Sequence, residues 1–145
     1  RGFQVLIDCC HNPAGLEELA DFIGRLNPKR TVAMIAMPGD RRNEDIATFG
    51  HIAARAFDHF VIREDNNRRG RRPGEVAGLL RQALLDNGVG PGNIRIIYEE
   101  LEAARAALEI ATVDDLVLLL ADRPEEVWEL VTRYSLEESR EPALV

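Results

Sequence analysis

Hydrophobic positions along this chain switch between two patterns. Short apolar runs alternate with stretches in which apolar residues recur every three to four positions. Phe3-Gln4-Val5-Leu6-Ile7 reads as a strand, and Leu16, Leu19, Ala20, Ile23 and Leu26 then share one helical face until Asn27-Pro28 stops it. Residues 31–37 are almost wholly apolar, as in a strand covered on both sides, and Pro38-Gly39 ends the run. Ile46, Phe49, Ala53 and Phe57 mark a second helix, 59–62 a third strand, and Val76, Leu79, Leu80, Ala83 and Leu84 a third helix, with a turn over 88–92. A fourth strand at 94–98, an Ala-rich helix at 101–110 and a fifth strand at 116–121 follow. Pro124 opens a last helix whose buried stripe is Val127, Leu130, Val131 and Tyr134, and Trp128 is expected to cover an edge of the core.

Five strand-helix pairs predict a mostly parallel sheet, since each helix must cross the sheet before the next parallel strand begins. The expected fold is a Rossmann-like three-layer α/β domain with about five to six strands and helices on both faces. It is expected to occupy 1–134. Residues 135–145 form an acidic tail with no stripe beyond Tyr134, expected to fray or to belong to a neighbouring segment. The start at Arg1, directly before a strand, reads as a piece excised from a longer multidomain protein.

Composition narrows the function. In 145 residues, 46% hydrophobic and 30% charged content is that of an ordinary soluble domain. Without an apolar run of eighteen residues or a basic-then-apolar leader, the expected setting is the cytoplasm, away from membranes. A net charge of −7 argues against nucleic acid, which needs clustered Lys and Arg. One basic stretch stands out, residues 63–72, with five arginines against Glu64 and Asp65. The two cysteines are adjacent, so a structural disulfide between them would be strained.

The polar loops carry the candidate chemistry. Asp8-Cys9-Cys10-His11-Asn12-Pro13 passes from a strand into a helix, with Asn12 suited to the N-cap and Pro13 to the first helical turn. Pro38-Gly39-Asp40-Arg41-Arg42 follows the second strand and residues 64–73 the third. All three loops therefore fall at the carboxyl edge of the sheet, where open α/β folds bind ligands. His11 and Asn12 can hydrogen-bond a ligand, while Asp8 can orient His11 or accept from a ribose hydroxyl. Of Arg41 and Arg42, one is expected to be functional and the other solvated; the alternative pairs one of them with Glu44 or Asp45. Residues 64–75 combine acids, bases and a helix start, as would suit a zwitterion, and Gly70 allows a sharp turn. A zinc site is disfavoured because three consecutive residues, Cys9-Cys10-His11, cannot easily face one ion; the cysteines read as small, partly buried hydrophobes. No GxxxxGK[ST], GxGxxG or GxSxG motif occurs, so the chain has no standard triphosphate loop of its own.

The stretches Asp8-Cys9-Cys10-His11-Asn12-Pro13-Ala14-Gly15, Gly39-Asp40-Arg41-Arg42-Asn43-Glu44-Asp45-Ile46, and Glu64-Asp65 followed by Arg69-Gly70-Arg71 and Gly74-Glu75 resemble the C-terminal domain of the Mur ligase superfamily. The resemblance covers essentially the whole chain and is strongest to its cyanophycin synthetase branch. It implies an ATP-dependent amide ligase. There a central domain holds ATP and Mg2+ and phosphorylates a carboxylate, and the C-terminal domain closes over the nucleotide and the incoming amino acid. In the cyanophycin synthetase branch arginine is joined to an aspartate-containing peptide. The resemblance makes His11 and Arg41 catalytic candidates, with Asp8, Asn12, Asp40, Arg42, Glu64, Asp65, Arg69 and Arg71 as nucleotide- or substrate-binding candidates. Glu64 and Asp65 are assigned to an incoming guanidinium on chemical grounds alone. The implied partners are the central domain of the same chain, an amino acid with arginine favoured, and the peptide; a homo-oligomer is left open. The isolated domain is expected to be inactive. Two departures stand against the pattern: both residues after Asp8 are Cys where the first is usually aromatic, and Asn66-Asn67-Arg68 is less acidic than the cyanophycin synthetase version. The alternatives are a muramyl-peptide or folylpolyglutamate ligase, or a non-catalytic anion-binding module.

Overall fold

The computed structural model describes residues 2–66 and 68–140; Asn67 and the end of the expected tail, 141–145, lie outside the described residues. Five strands form one sheet: β1 Gln4–Asp8, β2 Arg30–Ile35, β3 His59–Ile62, β4 Ile94–Ile96 and β5 Asp115–Leu120. They alternate with α1 Pro13–Arg25, α2 Asn43–Ala56, α3 Glu75–Asp86, α4 Glu100–Ile110 and α5 Pro124–Arg140. The expected α/β class is what forms, and every strand pair is parallel, in the order β1-β5-β2-β3-β4.

The apolar runs of β2 and β5 follow from that order, because both strands are interior and covered on both faces. Their side chains divide with the period of two that a strand imposes. Ala33, Ile35, Leu116, Leu118 and Leu120 pack with Leu16 and Ile23 of α1, Ile46 and Phe49 of α2 and Leu80 of α3. Val32, Met34, Val117 and Leu119 face the other way, toward Ala103 and Ala107 of α4 and Val127 and Tyr134 of α5. The chain moves from β1 to β4 in one direction with α1, α2 and α3 on one face. It then returns to β5 with α4 on the opposite face, as crossovers of a single hand require.

Two expectations change. Trp128 covers no core edge: it is 64% exposed beside Ile7 and Pro124. Helix α5 continues past Tyr134 to Arg140, although Ser135, Leu136 and Glu137 add no buried stripe. Glu137 reaches Arg105 of α4 across the surface at 3.4 Å.

A charged network closes the amino edge. Arg30 Nε and Nη2 donate to Asp115 Oδ2 at 3.1 and 2.7 Å, and Nη1 meets His59 Nε2 at 3.1 Å. Because a guanidinium only donates, His59 accepts with a neutral ring. Burial first, and Arg30 second, push the His59 pKa below its usual value. Burial pushes Asp115 up, but the donors on Arg30 and Thr112 outweigh it and leave the carboxyl low. Both folded-state values lie below the unfolded ones. The stabilisation is therefore present above the unfolded values and lost on acidification, first below about pH 6.5 for His59 and then below about pH 4 for Asp115. Melting temperature is expected to fall from pH 7 to pH 5, and His59→Gln, which still accepts from Arg30, should flatten that slope. An unchanged slope in the variant would rule out His59 as its source.

Candidate functional site

Because all five strands are parallel, their carboxyl ends share one edge, and the three predicted loops meet there. They are not three neighbours, however. β5 lies between β1 and β2, so the segment Ala121-Asp122-Arg123 separates the first loop from the second. β5 also passes into a helix on the face opposite to those that follow β1 and β2. Crevices on either side of it are the topological switch points where ligands enter such sheets.

The first loop is built by capping. Asn12 Oδ1 accepts from Gly15 N at 2.8 Å and Pro13 opens the helix, as expected; such a cap stabilises α1 by about 1 kcal/mol. Asp8 Oδ1 accepts from Cys10 N at 2.8 Å, tightening the turn. His11 is oriented not by Asp8 but by the Cys9 carbonyl, 3.0 Å from its Nδ1. Since a carbonyl only accepts, Nδ1 donates in this contact. Cys9 is exposed, whereas Cys10 is half-buried against the core. Burial raises the Cys10 pKa, with the nearby Asp8 charge adding to it, so this thiol is a packing group. These residues line an open cleft of about 510 Å3, with Phe22 of α1 on its far wall.

The second and third loops form one unit. A Cβ on Gly39 would sit 2.0 Å from the Arg68 carbonyl oxygen, so the two backbones touch at a point only glycine permits. Arg71 locks them: Nε donates to Gly39 O at 2.9 Å, Nη2 to Arg41 O at 2.7 Å, and Nη1 to Glu75 at 3.1 Å. Gly70 makes the expected sharp turn with φ of +85°. Glu64 accepts from Ala77 N at 3.1 Å and so caps the start of α3. Asp65 is half-buried in the same loop. Asp40 lies 4.0 Å from both Arg41 and Arg69, at the mouth of the loops.

The two adjacent arginines separate cleanly. Arg42 is bound to Asp45 through two hydrogen bonds of 3.1 and 3.2 Å on the exposed start of α2. Among the described residues Arg41 makes no side-chain hydrogen bond, and its buried Nε has only the long ion pair to Asp40 at 4.0 Å. A guanidinium that is partly dehydrated and paired only at long range has the chemistry to take an anion.

One member of the basic stretch proves to be internal. Arg63 is 3% exposed. It donates to Leu120 O through Nε and Nη2 at 3.1 and 2.9 Å, to Asp122 at 3.0 Å, and lies 3.3 Å from Glu100. Glu100 accepts in turn from the backbone N–H of Asp122 and Arg123 and from Arg123 Nε. Arg123 also reaches Glu99 at 2.9 Å and Glu126 at 2.8 Å. This buried network ties the ends of β3 and β5 to the start of α4. Sequence reading missed it, and the sole signal was Glu99-Glu100 and Asp122-Arg123 standing at two further strand ends.

Comparison with known proteins decides the family. The Mur ligase, glutamate ligase domain family matches residues 1–123. The chain belongs to that family. It is 33% identical over 131 residues to the cyanophycin synthetase of Crocosphaera subtropica, covering 90% of this chain and 15% of that protein. This domain thus spans a small part of the length of the curated relatives it matches. A solved UDP-N-acetylmuramoyl-L-alanyl-D-glutamate–2,6-diaminopimelate ligase superposes with a TM-score of 0.72 at 17% identity, over 93% of this chain and 30% of that one. E. coli FolC in complex with ADP superposes at 0.65 and 24% identity, over 93% and 29%. The fold of these two structures is therefore shared over most of this chain.

Proposed function

We propose that this domain is the C-terminal lobe of an ATP-dependent amide ligase of the cyanophycin synthetase type. Support comes from the family, from a relative of that name at 33% identity, and from a fold shared with a ligase seen with ADP. The observation that carries the reading is Arg41, a half-buried guanidinium at the carboxyl edge of the sheet with no side-chain hydrogen bond among the described residues and only Asp40, 4.0 Å away, paired with it.

The chemistry follows from the groups present. In such a ligase ATP phosphorylates a carboxylate. The amine of the incoming amino acid then attacks the carbonyl carbon, forming the C–N bond as phosphate leaves with the C–O electrons. Negative charge builds on the acyl phosphate oxygens, where Arg41 lowers the barrier. His11 stands on the opposite side of β5 beside the nucleotide. Asp8 and Asn12 hold its loop, while Arg71 holds Arg41 by its carbonyl; Asp40, Arg69 and Asp65 shape the mouth. The sequence has no phosphate loop, so ATP and Mg2+ are held mainly by a central domain of the parent protein. The favoured substrates are arginine and an aspartate-containing peptide. No helix among the described residues is long and apolar enough to cross a membrane.

Phosphate release by the full-length parent protein tests this. Release is expected to require both the peptide and an amino acid, with arginine preferred over lysine, glutamate and diaminopimelate. Binding of a small anion by this domain without any such turnover in the parent would favour the non-catalytic module instead.

A further inference from the structure

The resemblance places Arg71 among the residues that bind nucleotide or substrate, yet its side chain is only 17% exposed and each of its three nitrogens is spent inside the protein. Nε donates to the Gly39 carbonyl at 2.9 Å, Nη2 to the Arg41 carbonyl at 2.7 Å and Nη1 to Glu75 Oε2 at 3.1 Å. The two carbonyls belong to one turn, which Arg41 N closes on Pro38 O at 3.3 Å. Arg71 itself ends a second turn, closed by its own N–H on Arg68 O at 3.0 Å. Arg69 and Gly70 are the central residues of that turn, with φ of +50° and +85°, the left-handed pair of a type I′ turn. An arginine at positive φ is strained, and it persists where surrounding contacts determine the backbone. Those contacts include the touch of Gly39 on the Arg68 carbonyl, where a Cβ would lie 2.0 Å from the oxygen. The two turns therefore fix one another, and Glu75 ties both to the start of α3.

We propose that Arg71 is a positioning residue of the ligase and not a binding one: it sets the backbone from which Arg41 extends, so that the loops after β2 and β3 carry Arg41 to the reacting atoms as one rigid body. The inference rests on the ligase reading and deepens it. Arg41 has Asp40 at 4.0 Å and no side-chain hydrogen bond among the described residues, so the course of its own backbone decides where the guanidinium sits. A planar fork spans two carbonyls and a carboxylate at once, whereas a lysine ammonium at the same place is a single point charge. Misplacement of a reacting group by about 1 Å is enough to cost on the order of 100-fold in rate.

The test is a double-mutant cycle in the full-length ligase, with rates at saturating ATP, arginine and aspartate-containing peptide. Arg71→Met is expected to lower kcat about tenfold or more while the KM values for ATP and arginine stay within about twofold. In an Arg41→Ala background the same change should add less than about twofold, since the brace has nothing left to aim. A purely structural loss would lower both backgrounds alike. Arg71→Lys should show a smaller loss with the same pattern, and it carries the cycle should Arg71→Met not fold. Gly39→Ala parts the same two loops without touching a charge, and it should lower kcat in the wild-type background alone. A raised KM for ATP or arginine with kcat retained in Arg71→Met overturns the proposal in favour of a binding role, and so does a full additional loss in the Arg41→Ala background. If Arg41→Ala itself leaves kcat unchanged, the proposal falls while amino-acid-dependent phosphate release still upholds the ligase reading. Absence of that release overturns both.

Discussion

Glu100→Ala is expected to destabilise the domain by about 3–5 kcal/mol, the usual cost of removing one partner from a buried ion pair. The reason lies in what the carboxylate satisfies. Its oxygens accept from the backbone N–H groups of Asp122 and Arg123 and from the Arg123 side chain, and they face the buried Arg63 guanidinium. Truncation leaves two strand-end donors without their acceptor and takes away one of the two carboxylates that face the buried Arg63, and the methyl group that replaces it offers nothing in return. Denaturant unfolding reads the effect as a lower midpoint at an unchanged slope. Glu129→Ala is the control, since it removes an exposed pair with Arg133 one helical turn away and should cost no more than about 0.5 kcal/mol. A loss below about 1 kcal/mol in Glu100→Ala would mean that water replaces the carboxylate and that the network is not the brace described.

Arg41→Ala or His11→Ala should slow ligation by the full-length enzyme at least tenfold, on the order of 1.4 kcal/mol or more in barrier, with the fold intact. Both side chains are partly or fully exposed, so little packing is lost. The function proposed for them assigns the loss to positive charge opposite the acyl phosphate in one variant and to a hydrogen-bonding ring beside the nucleotide in the other. Arg42→Ala provides the contrast. Its guanidinium is spent on Asp45, whose carboxyl it holds below the usual range, and turnover should stay within about twofold. Steady-state rates at saturating ATP distinguish the cases. Unchanged turnover in both Arg41→Ala and His11→Ala would refute their roles.

Much of the fold is legible in the sequence because local rules decide it. Asn12-Pro13 carries its own capping chemistry, and the apolar runs at 31–37 and 116–121 are what interior parallel strands require. Strand order is different. A parallel pair leaves no signature in either strand's own sequence, so nothing along the chain shows β5 inserting between β1 and β2. That insertion makes Asp122 and Arg123 part of the site edge, where loops counted in sequence had placed only the three motifs. Arg63 illustrates the same limit in charge. Counted among the arginines of 63–72 it looks like part of a basic surface, yet its partners are Glu100 and Asp122, far along the chain. The capping role of Glu64 and the exposure of Trp128 are likewise settled by packing, not by residue type.

The account stands most directly on how the phosphate leaves. With an acceptor peptide carrying 18O at both oxygens of its reacting carboxylate, the full-length enzyme is predicted to release phosphate bearing one 18O atom for each amide formed, because the acyl phosphate passes its bridging oxygen to the leaving group. Phosphate released without label, while amide accumulates, would contradict an acyl phosphate ligase and with it the role assigned to Arg41.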